Sequence, residues 1–427
     1  MQEIEQDFAT GNALLLSLHL PTQTHEDVTI SLDELESLAR TMGFNVKGRV
    51  TQSRSHIDSA TYFGKGKLEE IKLLIEQEAL ELIIVNAQLS PNQNRNLEKY
   101  FKCSVIDRTF IILTIFEKHA QTREAKLQIG LAHAEYLLPR LVGMWQHLDR
   151  ERGGINASRG TGETQIEKDR QMLRQRIARL REELKHVEEE RKTQKKRRAS
   201  NCLNVSLVGY TNAGKSTIMN GLTDSHLLVE DKLFATLEST TRVLEGKSRP
   251  QILLSDTVGF IRNLPHELVA SFRSTLEMVN DADLLLNVVD ASGEYEDHIQ
   301  TTMSVLAEID CKSVPILTVF NKTDLISPLE QAMLQKKYPE AILVSAEHQQ
   351  LDELRQKILK FFEKRMETIS VCLDYQDTGN LKEIYEWSRV DKIDYKDDAI
   401  YLTLTGLPTN INRLRHHLDA HIKGTGT

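Results

Sequence analysis

Residues Val205–Thr217 read VSLVGYTNAGKST. A short apolar run feeds directly into G-x-x-x-x-G-K-S, with Gly209, Tyr210, Thr211, Asn212, Ala213, Gly214, Lys215 and Ser216 at the required spacing and Thr217 behind them. The residue types have physical reasons. Glycines let successive backbone amides curl round a phosphate, and the helix that follows offers its N-terminal amides to the same anion. Lys215 supplies a point charge to β- and γ-phosphoryl oxygens, and the Ser216 hydroxyl is a ligand for Mg2+. A strand before and a helix after give the motif its context. The stretch predicts a nucleotide site at the end of a strand in a mainly parallel α/β sheet.

Three segments downstream decide which nucleotide. Asp256-Thr257-Val258-Gly259 follows the apolar run Ile252–Ser255, and brings a carboxylate for Mg2+ through water and a glycine amide for the γ-phosphate. Asn321-Lys322-Thr323-Asp324 ends the next-but-one strand. An aspartate there accepts hydrogen bonds from guanine N1–H and the 2-amino group, which adenine does not supply, so adenine would leave the acceptor unpaired. Ser345-Ala346-Glu347 ends the last strand, where a backbone amide can meet guanine O6. Taken in order, the four segments resemble the guanine-nucleotide-binding domain of the Ras-like GTPases.

Between the phosphate loop and Asp256 lies Phe234-Ala235-Thr236-Leu237-Glu238, in a threonine-rich stretch. A GTPase needs one threonine here that reaches Mg2+ and the γ-phosphate, so that losing the phosphate releases the loop. Thr236, Thr240 and Thr241 are the candidates. Two other positions bear on mechanism. Many GTPases carry, after the DxxG glycine, a glutamine that orients the attacking water. Here that residue is Phe260, which cannot hydrogen-bond water. Either a partner supplies the polar group, leaving intrinsic hydrolysis slow, or another side chain of this chain positions the water. Asn212 resembles the asparagine that ligates K+ in potassium-activated GTPases.

The surrounding composition narrows the class. At 427 residues with 40% hydrophobic and 27% charged residues, the chain is long enough for two to four domains and can bury several cores. No apolar run approaches the ~18 residues of a membrane span, and the acidic start Met1–Glu5 lacks the features of a secretory signal. Cys103, Cys202, Cys311 and Cys372 lie far apart, with no pair at zinc-ligand spacing, and read as reduced thiols in the cytosol. The net charge of −8 is unevenly spread: Arg150–Ser200 holds 16 Lys/Arg against 9 Asp/Glu, a local balance of +7. A basic segment on an acidic body can bind polyanions locally, or it can be a solvated helix face rich in ion pairs.

Periodicity divides the chain into four parts. Residues 1–108 alternate strands and helices: strands at Ala13–Leu18, Leu82–Asn86 and Ser104–Asp107, helices at Leu32–Met42, Glu69–Glu78 and Arg95–Phe101. Residues 109–200 read as a helical hairpin. Its first arm runs through Ala134–Trp145 with Pro139 and Gly143 as kinks, and its tip is Arg152–Gly162 (RGGINASRGTG). Its second arm starts near Glu163, with an apolar seam of Leu173, Ile177, Leu180, Leu184 and Val187. Residues 201–365 form the nucleotide domain and 366–427 a small α+β module with strands at Ile369–Tyr375 and Ile400–Leu404.

With these residues placed, the chain resembles the HflX family of GTPases over nearly its whole length. GYTNAGKST, FATLE, DTVGFIRNLPHELV and NKTD carry the likeness, together with FGKGKLEEI (Phe63–Ile71), VIDRT (Val105–Thr109) and RGGINASRGTGETQIEKDR (Arg152–Arg170). The resemblance favours Thr236 as the switch threonine. It departs at FATLEST, where the family often has FATLDPT. It implies a cytoplasmic, ribosome-associated GTPase, expected as a monomer, that binds the large ribosomal subunit and, as its GTP form, splits stalled or stressed ribosomes. Lys215, Thr236 and Gly259 would then serve catalysis, with Ser216 and Thr236 on Mg2+. Arg150, Arg152 and Arg159 in the glycine-rich tip can pair with RNA phosphate or stack on bases, or the tip is a plain connector. FGKGK is a phosphate-binding turn or an ordinary strand-to-helix connection. The alternative function is an assembly or RNA-modification GTPase acting on free RNA; a third reading makes the nucleotide a structural ligand of a binding module.

Overall fold

The computed structural model describes residues 11–141, 159–198, 202–223, 234, 240–244, 250–262, 278–311, 313–373, 375, 381–396 and 399–418. The chain forms two compact units. One is built on Met1–Glu188, and Phe234, Ile261 and Arg262 also belong to it; the other comprises Glu189–Glu230, Ser239–Phe260 and Thr275–Thr427.

The first unit opens with β1 (Asn12–His19), α1 (His25–Thr41), β2 (Asn45–Ser53), α2 (Lys65–Glu78), β3 (Leu82–Val85), α3 (Pro91–Phe101) and β4 (Ser104–Asp107). The sheet order is β2-β1-β3-β4, all parallel. β3 is apolar throughout and β1 carries the apolar run Ala13–Leu16, both buried, as a parallel sheet covered on both faces requires. Capping boxes start two helices, Thr24 with Asp27 at α1 and Ser90 with Gln93 at α3, each satisfying orphan amides of the first turn. β2 was not legible in the sequence: NVKGRVTQS alternates exposed and half-buried positions on a sheet edge and carries almost no apolar signal.

The first hairpin arm is corrected. In place of one long helix there are two, α4 (Arg108–His119) and α5 (Arg123–Leu137), followed by a 3-10 turn at Leu138–Arg140. The break falls at Ala120–Thr122 because Thr122 caps α5, its side chain accepting from Ala125 N. The second arm starts earlier than expected. α6 already begins at Arg159 and runs to Arg198, about 60 Å of helix, so Arg159, Gly160 and Gly162 lie in its first turn. Single glycines cost a helix only ~1 kcal/mol each, and a 40-residue helix absorbs that. Arg150 and Arg152 lie outside the described residues. Leu173 and Ile177 of α6 pack on Ala134 of α5, with Leu131 and Leu137 beside them, and Arg181 pairs with Glu135 at 2.6 Å.

The second unit holds β5 (Cys202–Gly209), α7 (Lys215–Leu222), β6 (Thr241–Val243), β7 (Gln251–Asp256), β8 (Leu284–Asp290), α8 (Tyr295–Glu308), β9 (Ile316–Asn321), α9 (Pro328–Lys337), β10 (Ile342–Leu343) and α10 (Asp352–Glu363). Its sheet runs β10-β9-β8-β5-β7-β6, parallel but for β6. This is the P-loop GTPase fold. β11 (Glu367–Leu373), α11 (Leu381–Trp387), β12 (Arg389–Tyr395), β13 (Ile400–Gly406) and α12 (Pro408–Leu418) follow, with an antiparallel sheet ordered β11-β13-β12 around its own small core. Among the described residues no helix is long and apolar enough to cross a membrane, and no cluster of His, Cys, Asp or Glu is set to hold a metal.

Candidate nucleotide and magnesium site

β5 delivers the chain to Gly209, whose φ is +144°; a Cβ there would stand 2.1 Å from the Val288 carbonyl oxygen of β8. Gly214, at φ +90°, would place a Cβ 2.1 Å from Asn321 Nδ2. Only glycine fits either place, so both motif glycines are dictated by close packing as well as by phosphate access. Asn212 between them is exposed and left-handed at φ +60°, a conformation asparagine tolerates.

Lys215 opens α7 and turns back over the loop. Its Nζ donates to the carbonyl oxygens of Gly209 at 3.1 Å and Tyr210 at 2.7 Å. Burial pulls the ammonium down to about 8, while the charge of Asp256 pulls it back up. Beside it the Ser216 hydroxyl donates to Asp256 Oδ2 at 2.6 Å, and Asp256 is fully buried at the end of β7. A hydroxyl oxygen and a dry carboxylate held this close form a hard-oxygen donor set, which suits Mg2+; P-loop GTPases generally use that ion. Thr257 anchors the next residue by donating to Leu207 O at 2.6 Å. Val258 is buried, and a Cβ on Gly259 would meet Thr211 Cα and Cγ2 at 2.8 Å and Lys215 Nζ at 3.0 Å. Gly259 therefore sits where its amide and the lysine can address one phosphoryl group.

The base side is tied to the phosphate side by Asn321. Its Nδ2 donates to Ala213 O at 2.9 Å, and its Oδ1 accepts from Ala346 N at 3.0 Å. Three motif segments thus meet on one amide side chain. Thr323 Oγ1 donates to Val344 O at 2.9 Å, and Lys322 pairs with Asp290 at 2.7 Å. The Ser345 hydroxyl donates to Asp324 Oδ1 at 2.5 Å and holds that carboxyl below the usual range. His348 Nε2 lies 3.9 Å from Asp324 Oδ2, and Glu347 is exposed.

Several features were invisible in the sequence. Tyr210 stacks on His298 of α8 at 4.0 Å, a partner 88 positions away that no motif announces. Phe260 is buried and its backbone is bridged to the phosphate loop, with its N–H donating to Gly209 O at 3.0 Å and its carbonyl accepting from Thr211 N at 2.8 Å. Of the rival switch threonines, Thr240 accepts from Asp256 N through its backbone carbonyl at 2.9 Å, and the Thr241 and Ser255 hydroxyls are 2.9 Å apart. Ala235, Thr236, Leu237 and Glu238 lie outside the described residues. Within the first unit, Phe234 is left-handed at φ +60° with its buried ring edge-on to Phe116 at 4.6 Å. There too Arg108, of VIDRT, donates to Glu34 at 2.5 Å, to Asn86 and to the carbonyl of Arg262, each at 3.1 Å for the latter two. In FGKGK, Gly64 N donates to Gln52 Oε1 at 2.9 Å and starts α2, as a strand-to-helix connection would.

Three family models match the chain. One is described as the N-terminal region of a GTP-binding GTPase (residues 29–117), one as its middle region (119–198), and one as a 50S ribosome-binding GTPase (204–322). GTPase HflX of Gluconacetobacter diazotrophicus is 39% identical over 449 aligned residues, covering 96% of this chain and 98% of that protein. GTPase HflX of Escherichia coli is 43% identical over 301 residues, 70% of each chain. A crystal structure of SsGBP with GDP aligns at a TM-score of 0.47 and 25% identity, over 82% of this chain and 98% of that one.

Proposed function

The chain belongs to the HflX family of GTPases, and on that premise we propose that it binds the large ribosomal subunit and, in its GTP form, splits stalled or stressed ribosomes. Hydrolysis of GTP to GDP and phosphate then releases it. The observation that carries this reading is the match of residues 204–322, the span with the phosphate loop, Asp256 and Asn321, to a 50S ribosome-binding GTPase. The protein works in the cytoplasm, as a monomer.

In this reading the parts are 1–108, the hairpin 109–200, the GTPase domain 201–365 and the module 366–427. Residues 209–217 cradle the phosphates, Asp324 and the Ser345–Glu347 turn take guanine, and residues 234–238 are further GTP-binding residues. Ser216 and Thr236 hold Mg2+, which supplies positive charge to the phosphoryl oxygens when bound. Lys215 adds its own charge on the β–γ bridge side, and the Gly259 amide senses the γ-phosphate. Asn212 holds K+. Arg150, Arg152 and Arg159 at the hairpin tip contact ribosomal RNA, well removed in sequence from the nucleotide site.

The test is phosphate release over many turnovers, with and without purified large subunits, in potassium and in sodium buffers. Stimulation by large subunits supports the proposal. Equal affinity for a small structured RNA and no subunit dependence would instead make the protein an assembly or RNA-modification GTPase. Equal rates in the two buffers would remove K+ from the account.

A further inference from the structure

GTP hydrolysis needs a polar group beside the attacking water, and Phe260 cannot be it. Its ring is buried and its backbone is tied to Gly209 and Thr211. The alternative is a polar side chain that already stands at the γ-phosphoryl end of the loop. One fits. Thr211 is 6% exposed, and its Oγ1 is buried without a hydrogen-bond partner among the described residues. A Cβ on Gly259 would stand 2.8 Å from Thr211 Cα and Cγ2 and 3.0 Å from Lys215 Nζ, so all three residues border one small space. Thr211, Gly259 and the lysine ammonium thus converge on the place a γ-phosphoryl group must occupy to meet both the ammonium and the amide.

A buried hydroxyl without a partner bears its full desolvation cost, and in a native structure it calls for an explanation. Here the methyl of Thr211 faces Gly259. A single 120° turn about χ1, one staggered well to the next, exchanges methyl for hydroxyl. A hydroxyl can donate and accept at once, which is what holding a water between itself and a phosphoryl oxygen requires.

We propose that Thr211 is the positioning residue for the attacking water in this enzyme, taking the part that Phe260 cannot play. The water oxygen bonds to the γ-phosphorus as the bond from phosphorus to the β,γ-bridging oxygen breaks, and that oxygen leaves with its electron pair on GDP. One water proton stays on the inorganic phosphate and the other passes to solvent. Thr211 accepts from the water and donates to a γ-phosphoryl oxygen, and it neither gains nor loses a proton overall.

The experiment is single-turnover GTP hydrolysis by the full chain without ribosomes, for wild type, Thr211→Val and Thr211→Ser. Affinity for a fluorescent GDP analogue is measured alongside. Valine keeps the shape and removes the hydroxyl; serine keeps the hydroxyl and removes the methyl. The expected result is a loss of about 10²-fold in rate for valine, the scale of one missing transition-state donor. Serine should restore the rate, and the GDP affinities separate a loss of nucleotide binding from a loss in the chemical step. Wild-type hydrolysis by Thr211→Val overturns the proposal, and so does equal slowing by valine and serine. Should Thr211→Val fail to bind GDP, Thr211→Ala is judged by the same rate criterion.

Discussion

The Ser345 hydroxyl donates a 2.5 Å hydrogen bond to Asp324 Oδ1, so one loop of the base site sets the direction in which the other presents its carboxylate. That carboxylate is held low first by Ser345 and stays ionised at neutral pH. Guanine supplies two donors to it, whereas xanthine replaces the 2-amino donor with an acceptor. Asp324→Asn should therefore lose GDP affinity by about 10²-fold or more and gain affinity for xanthosine diphosphate. Ser345→Ala should weaken GDP by about tenfold, the value of one hydrogen bond to a charged group, without changing base preference. Titration with the two nucleotides checks both; a Ser345→Ala protein that binds GDP as wild type does would separate Ser345 from guanine recognition.

Lys215 gives a pH signature. Burial holds its ammonium at about 8 without nucleotide, well below the ordinary lysine value. Phosphate oxygens in the loop would favour the charged form and raise it again. Below pH 8 the lysine is charged with or without nucleotide, so GDP affinity should be flat. Above pH 8 the free protein has lost the proton that the complex keeps, so binding takes up a proton and affinity falls, by at most tenfold per pH unit. Calorimetry at pH 8.5 in two buffers of different ionisation enthalpy reads that uptake directly, and Lys215→Met should abolish it. The same lowered value predicts folding stability that rises with pH between about 8 and 10.5, because there the unfolded chain binds the proton and the folded chain does not.

Asn287 lies in the middle of β8, fully buried, and neither of its side-chain polar atoms has a partner among the described residues. Removing both orphan groups at once leaves nothing unsatisfied behind. Asn287→Val, β-branched and suited to a buried strand, should stabilise the second unit by about 1–3 kcal/mol. The midpoint of urea unfolding should rise, with GDP affinity unchanged. A fall in the midpoint would show that the amide is satisfied within the core.

What could be read in advance follows from how each feature is encoded. The phosphate loop was legible because its spacing prescribes backbone geometry, and Gly209 and Gly214 are found where no Cβ fits. β3 (LIIV) and β8 (LLLNVVD) announced themselves as buried strands. β2, β6 and β12 did not, since edge strands such as TRV and RVDKIDY have little apolar surface to hide. The split between α4 and α5 turned on one capping residue, Thr122, against a continuous helical pattern. The Tyr210–His298 stack and the burial of Phe260 are tertiary choices, made by neighbours distant in the chain, and no local pattern carries them.

Phe260 invites an obvious repair, and the structure predicts that it fails. Placing glutamine after Gly259 restores the residue that many GTPases use. Yet the side chain at 260 is buried, 1% exposed, and its backbone is fixed by two hydrogen bonds to the phosphate loop. A glutamine there would lose aromatic packing worth about 3–5 kcal/mol if the space is left unfilled. It would also bring an amide into an apolar setting at a further cost of about 1–3 kcal/mol. Phe260→Gln should therefore unfold at lower temperature and show no gain in single-turnover GTP hydrolysis, while Phe260→Leu should keep near-wild-type rates. A faster Phe260→Gln enzyme would mean that the bridge to Gly209 and Thr211 opens during turnover and that position 260, not Thr211, meets the water.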